Sequence, residues 1–201
     1  MSNGASFREL LAKHAEGDAL ARLVVYAELL ERWSARHNLV HYRDRRELVE
    51  RHIADALVAA PQLKGSGSLL DIGSGAGLPG VPLLVARRHW RGVLLEPRQK
   101  RWAFLRLVIR ELDLQCEVER ARYQDLERGR RWDVVTVRAV GGHAALVEWA
   151  ATHLTTDGAI LLWTTEKVEA ELRQLQGWRV LSSPLPAFDR GRLCRLQKSF
   201  T

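Results

Sequence analysis

Between residues 69 and 80 the chain reads Leu-Leu-Asp-Ile-Gly-Ser-Gly-Ala-Gly-Leu-Pro-Gly. Leu69, Leu70 and Ile72 form the short apolar lead-in of a buried strand. Gly73, Gly75 and Gly77 follow at every second position. Alternate glycines let the backbone take positive φ and approach a ligand with no Cβ in the way. Pro79 stands where a helix would begin, and its fixed φ suits a first helical turn. Strand, glycine turn and helix make the local form of a nucleotide-binding βα unit. Two ligand chemistries fit the letters. Gly75 to Gly80 matches the G-x-G-x-x-G dinucleotide fingerprint. Counted from the strand end, an acid, Asp71, leads into the three glycines. A diphosphate favours a helix N-terminus with no acid beside it, whereas a cationic nucleoside tolerates or seeks Asp71. A ligand-free structural turn is the third reading.

Glu96 closes the next apolar run. A carboxylate there could accept both hydroxyls of a ribose, or could stabilise the N-terminus of the following helix. Arg98, Lys100, Arg101, Arg106 and Arg110 come next; such a run suits a solvated face or, in part, phosphate binding. Arg122 and Arg138 each follow an apolar stretch. The ligand crevice of an open α/β sheet lies at the carboxyl ends of its strands. Two arginines there would line its mouth and suit bidentate phosphate contacts, with surface ion pairs as the alternative. Asp133, beside Trp132 at a strand start, reads as a structural hydrogen-bonding group. Asn38 falls in a break between helices, where a C-cap explains it. His52 and Asp55 are three apart on one helical face and suit a local pair.

The elements that must position these groups come in two blocks. Residues 5–62 follow a helical apolar period, broken at 37–42, with Asp44 and Glu47 as an acidic capping box for a helix running to about Ala60. Pro61 and Gly65-Ser66-Gly67 end that block. From residue 68 the pattern alternates. Strands are expected over 68–72, 92–96, 115–120, 132–137 and 158–164, and helices over 79–89, 98–113, 142–154 and 166–176. Strands 177–183 and 191–199 have no helix between them and imply a closing antiparallel hairpin. The expected fold is therefore α/β, a mainly parallel seven-stranded sheet with helices on both faces. Residues 1–64 form a helical N-terminal extension and 65–201 the sheet domain.

Composition narrows the partners. The chain has 201 residues, 46% of them hydrophobic, enough for a real core. A net charge of +7 favours polyanions, nucleic acid first. Cys116 and Cys194 lie far apart and have no metal-ligand spacing. They suit reduced core thiols in a cytoplasmic protein, and no metal site is expected. No run has the length or pattern of a membrane span or signal segment.

An acid followed by alternate glycines resembles the first motif of class I (Rossmann-like) methyltransferases that use S-adenosylmethionine, and the closing hairpin separates such sheets from dehydrogenase sheets. Nearly the whole chain resembles the ribosomal small-subunit methyltransferase G (RsmG) family. The resemblance rests on His37-Asn38-Leu39-Val40, on Arg51-His52-Ile53-Ala54-Asp55, and on the run from Asp71 to Leu83, which is highly specific. Lys100-Arg101, Phe104-Leu105, Arg122 and Arg138-Ala139 complete it. It implies methylation at N7 of one guanine in the decoding region of bacterial 16S rRNA, with S-adenosylmethionine as donor. The implied substrate is rRNA within a 30S subunit or assembly intermediate, and the implied protein a cytoplasmic monomer. The implied donor-binding set is Asp71, Gly73, Gly75, Gly77, Leu78, Glu96, Tyr123, Gln124 and Arg138. Arg122, Arg138, Asn38, His52 and Asp55 are implied as positioning groups towards the RNA. Three departures stand out. Trp163-Thr164-Thr165 replaces the family's Lys-Gly pair, Gln124 replaces an acid, and Ala56 replaces a serine.

Guanine N7 has an in-plane lone pair and no proton, so attack on a sulfonium methyl needs no general base. That agrees with a sequence poor in base candidates. Catalysis would come from alignment. The alternatives are a small-molecule methyltransferase on the same donor site, a donor-binding RNA module without turnover, and a nicotinamide-dependent oxidoreductase.

Overall fold

The computed structural model describes residues 5–199. Helices α1 (Phe7–Leu11) and α2 (Gly17–His37) open the chain. Next come α3 (Arg45–Leu48), a widened i→i+5 segment (Val49–Ala54) and α4 (Asp55–Leu57). Alternation follows: β1 (Gly67–Ile72), α5 (Gly80–Ala86), β2 (Trp90–Leu95), α6 (Gln99–Glu111), β3 (Cys116–Glu119), β4 (Trp132–Arg138) and α7 (His143–Ala151). Then come β5 (Leu154–Thr165), α8 (Glu166–Leu172), β6 (Trp178–Pro184) and β7 (Gly191–Lys198).

The seven strands form one sheet in the order β3-β2-β1-β4-β5-β7-β6. Pairings up to β5 are parallel, while β7 runs antiparallel between β5 and β6. The chain moves outward from β1 to β3, then returns to place β4 on the other side of β1. That reversal opens a crevice at the carboxyl ends of β1 and β4.

The two-residue period of the strands divides the core. Leu69, Leu94, Val134 and Leu161 point to one face, under α5, α6 and the N-terminal helices. Leu70, Leu95, Val135 and Leu162 point to the other, under α7 and α8. The N-terminal helices share the first apolar cluster with the sheet, through residues such as Phe7, Leu23, Leu30 and Ile53.

Two local expectations need correction. The single helix expected over 44–60 is instead α3, the widened segment and α4. Its capping box is half formed: Asp44 accepts from the Glu47 N–H at 2.8 Å, but the Glu47 carboxylate accepts from the Arg43 N–H at 2.7 Å. The carbonyls of Arg51 and His52, inside the widened segment, accept from Arg138 at 2.9 and 3.3 Å. A partner 86 residues away therefore shapes this helix, and no local period encodes it. The second correction concerns β5, which starts at Leu154 and not at 158. A register shift between Trp132 and Val134 pairs Trp132 with Leu154, so the strand takes Leu154 from the end of the helix expected over 142–154 and adds 155–157.

The N-terminal block is tied to the glycine turn by one buried bond. The Tyr26 hydroxyl, fully buried, donates to the Ala76 carbonyl at 2.8 Å. Tyr26→Phe leaves that carbonyl without this donor, at a cost of about 1–3 kcal/mol. Urea unfolding of the variant should show a lower midpoint with unchanged slope. A midpoint equal to that of the wild type would mean the bond does not anchor the turn.

Candidate active site

Gly73 takes φ of +68° just past the end of β1, and a Cβ there would lie 2.8 Å from Val140. Gly75 takes φ of +58°. Its N–H donates to a Glu96 carboxylate oxygen at 3.0 Å, and the other oxygen accepts from the Arg98 N–H at 2.8 Å. Glu96 is only 3% exposed. It therefore bridges the glycine turn to the start of α6.

Around this bridge lies a cleft of about 340 Å³ at four successive strand ends. Ile72 and Gly73 follow β1, Glu96 follows β2, Arg122, Tyr123 and Gln124 follow β3, and Ala139 to Gly141 follow β4. Tyr123 is steadied from behind by Trp149, edge-on at 5.1 Å between ring centroids. Arg98 and Arg101 also line the cleft. The basic run on α6 thus divides, for Arg106 instead lies over the Trp102 ring and Arg110 pairs with Glu111.

Other expected residues lie elsewhere. Asp71 is fully buried; its oxygens accept from the Thr136 hydroxyl at 2.7 Å and the Gly80 N–H at 3.3 Å. It braces the turn from beneath and does not line the cleft. An acid next to a glycine turn reads from sequence as a ligand contact, but alternation sends the Asp71 side chain to the face packed under α5. Gly75, Gly77 and Leu78 are buried in the turn and are likewise absent from the cleft wall. Pro79 precedes the first residue of α5 as its N-cap. Asn38 ends α2 in the left-handed conformation, with its N–H on the Ser34 carbonyl, and does not line the cleft. Asp133 accepts from Ser68 and Thr155, the structural role its position suggested.

Arg138 departs from the donor-binding half of its expected role. It lines a second cleft, of about 530 Å³, on the other side of the β4 end. One guanidinium nitrogen stands 3.5 Å from Asp55, while the group donates to the Arg51 and His52 carbonyls. His52 and Asp55 do not pair with each other. The His52 ring lies 3.2 Å from the His41 carbonyl, and burial, with Arg138 close by, pushes its pKa down to about 4. Trp163, Thr164, Leu185, Phe188 and Arg190 complete this second wall. Ala139, at φ of +56°, borders both clefts. The sequence marked Ala139 only as part of the family motif, with no role at the site, and did not mark Phe188. The only local signal near Ala139 was the Gly141-Gly142 pair that follows it. Phe188 carried none, since it belongs to the β6–β7 turn, far away in the chain.

Strand order, carboxyl-edge crevice and closing hairpin define a class I methyltransferase fold. A solved methyltransferase structure from Geobacter sulfurreducens is similar at a TM-score of 0.65 and 14% identity, covering 87% of this chain and 89% of that one. Residues 19–183 match the family described as rRNA small subunit methyltransferase G. The Ribosomal RNA small subunit methyltransferase G of Alkalilimnicola ehrlichii is 38% identical over 176 residues, 85% of this chain and 79% of that one. Its counterpart from Nitrosomonas eutropha is 38% identical over 120 residues, 59% of this chain and 56% of that one. The chain belongs to the rRNA small subunit methyltransferase G family.

Burial raises the Asp71 carboxyl to about 6, against the hydrogen bonds it accepts, and raises Asp55 to about 6, against the Arg138 charge. Both groups then hold protons more tightly folded than unfolded. Their contribution to stability is full below about pH 4 and is lost as pH rises through about 6. Asp71→Asn removes one of the two contributions. Between pH 4 and 6 the urea midpoint of this variant should fall less steeply than that of the wild type. An identical slope would show that Asp71 does not take up a proton on folding.

Proposed function

We propose that this protein transfers the methyl group of S-adenosylmethionine to N7 of a specific guanine in the decoding region of bacterial 16S rRNA. It acts on rRNA in a 30S subunit or an assembly intermediate, as a monomer in the cytoplasm. The observation that carries this reading is the pair of clefts meeting at Ala139 in a chain of this family.

The first cleft fits a nucleoside donor. Glu96 uses two of roughly four carboxylate lone-pair sites on backbone N–H groups, which leaves acceptors for two ribose hydroxyls. The Gly73 position is closed to a side chain, so backbone alone faces the cleft there. Tyr123 offers a flat ring as one wall, and Gln124 an amide at the rim. When bound, S-adenosylmethionine supplies a methyl group on a cationic sulfur.

The second cleft supports a base-accepting role. Trp163, Leu185 and Phe188 give it apolar and aromatic walls, on which an unstacked base can lie. Arg51 sits over the Phe188 ring, and Arg190 is at hand for the backbone phosphates. Arg98, Arg101 and Arg122 put positive charge on the first cleft, towards the strand that carries the target. No residue has to remove a proton, because N7 carries none. The chain's contribution is to hold both partners in line and to exclude water between them.

Methyl-labelled donor with 30S subunits and with deproteinised 16S rRNA tests the reading, followed by mapping of N7-methylated guanines by base-directed strand cleavage. Label at one guanine, at a rate that falls steeply as salt rises, is the expected result. No label on any guanine in either substrate contradicts it. Glu96→Ala should weaken donor affinity about tenfold or more in calorimetry, through the lost ribose acceptors and the untethered Gly75 N–H. Wild-type affinity in that variant would place the nucleoside away from β2.

A further inference from the structure

Among the described residues, buried carboxylates are hydrogen-bonded with one exception. Asp71 accepts from Thr136 and Gly80, and Glu96 from Gly75 and Arg98. Asp55 is 2% exposed, and neither of its oxygens accepts a hydrogen bond from any described residue. Arg138 stands 3.5 Å away and compensates the charge, but its donors go to the Arg51 and His52 carbonyls. A buried carboxylate left in this state is costly, and such groups call for a partner from outside the fold.

The residue is also held in place. Its own backbone carbonyl accepts from the Trp163 indole N–H at 3.0 Å, across 108 residues of sequence. Asp55 lines the second cleft beside Trp163, Leu185 and Phe188, with both carboxylate oxygens buried just behind its surface. The one deeply buried acceptor pair of this cleft therefore sits beside aromatic surface and beside Ala139, where the donor cleft begins.

We propose that Asp55 is the group that selects guanine: its two oxygens accept the N1–H and the exocyclic N2–H of the target base. Guanine presents adjacent donors at those two positions, and a carboxylate matches them with two acceptors. Adenine presents an acceptor at N1 and no amino group at C2, so it leaves the carboxylate unpaired. Gripped by this edge, the base keeps N7 free on another side of the ring, to face Ala139. Flipped bases are read in this manner, by hydrogen bonds to the pairing edge and by stacking on aromatic side chains. The inference rests on the reading of this protein as a guanine-N7 methyltransferase and assigns the selectivity of that site.

The test is a cycle of two changes, Asp55→Asn in the full-length protein and guanine to inosine at the target of reconstituted 30S subunits. Inosine keeps N1–H and N7 but lacks the C2 amino group. Wild-type protein should methylate the inosine subunit about tenfold more slowly or worse, the loss expected for one hydrogen bond to a charged acceptor. Asp55→Asn should lose activity on guanine and should discriminate guanine from inosine by less than about twofold, since an asparagine offers one acceptor and no longer two. Equal loss on both substrates would make Asp55 a purely structural residue and would overturn the inference. So would full activity of Asp55→Asn on guanine. Equal wild-type rates on guanine and inosine overturn it without any variant, which covers the case of an Asp55→Asn chain that does not fold. No transfer by the wild type to guanine subunits would remove the functional reading itself, and this inference with it.

Discussion

The bond between the Gly75 N–H and the Glu96 carboxylate, 3.0 Å long and buried, fixes the geometry on which the rest depends. It joins the turn after β1 to the residue after β2, and the Ser74 N–H on the Leu95 carbonyl at 2.9 Å runs alongside it. Gly75 takes a left-handed φ that carries the chain onward from this N–H, and burial makes the bond costly to leave unmade. The turn is held from below by Asp71 through Gly80 and from the side by Tyr26 through Ala76. A backbone segment with so many fixed points can receive a ligand without reorganising, which is the condition for alignment to contribute to rate.

The N-terminal block belongs to the site as well as to the core. Arg138, at the end of β4, spends its donors on the backbone of the widened segment and its charge on Asp55. Asp55 in turn is fixed by Trp163 from β5. The second cleft therefore takes its walls from three parts of the chain: the 49–57 segment, the ends of β4 and β5, and the β6–β7 turn. Within the widened helix at 49–54 the Arg51 and His52 carbonyls accept from Arg138, and the His52 carbonyl also accepts from the Asp55 N–H. The Trp163-Thr164-Thr165 stretch falls at this wall, so the tryptophan serves both as a surface and as the clamp on Asp55.

Much of this was legible in the residues. The cores of β1, β2, β4 and β5 follow from apolar runs of the right length, because buried parallel strands leave continuous hydrophobic stretches, while β3, β6 and β7 are mixed in polarity and were legible only from their place in the alternation. The glycine spacing gave the turn, and the position of Glu96 after the second run gave its place at the cleft floor. Asp133 and the C-cap role of Asn38 were readable from local rules alone. What failed to read depended on partners distant in the chain. Nothing near Asp71 says that its side chain points under the turn, since one step of strand register decides it. A His and an acid three apart suggest a pair on a regular helix, and the widened turn removes the regularity. Arg138 looked like a phosphate ligand at the mouth of the crevice; instead its donors are taken by carbonyls that no local pattern identifies. Phe188 and Arg190 reach the second cleft only because β7 folds back beside β5.

In the function proposed, the donor nucleoside and the base occupy the two clefts that meet at Ala139 on the carboxyl edge of the sheet. A crystal structure with S-adenosylhomocysteine measures this most directly. The ribose hydroxyls are expected on Glu96, the adenine beside Tyr123 and the sulfur turned towards Ala139. A nucleoside bound in the Trp163–Phe188 cleft, or a Glu96 carboxylate turned away from the ribose, would contradict it.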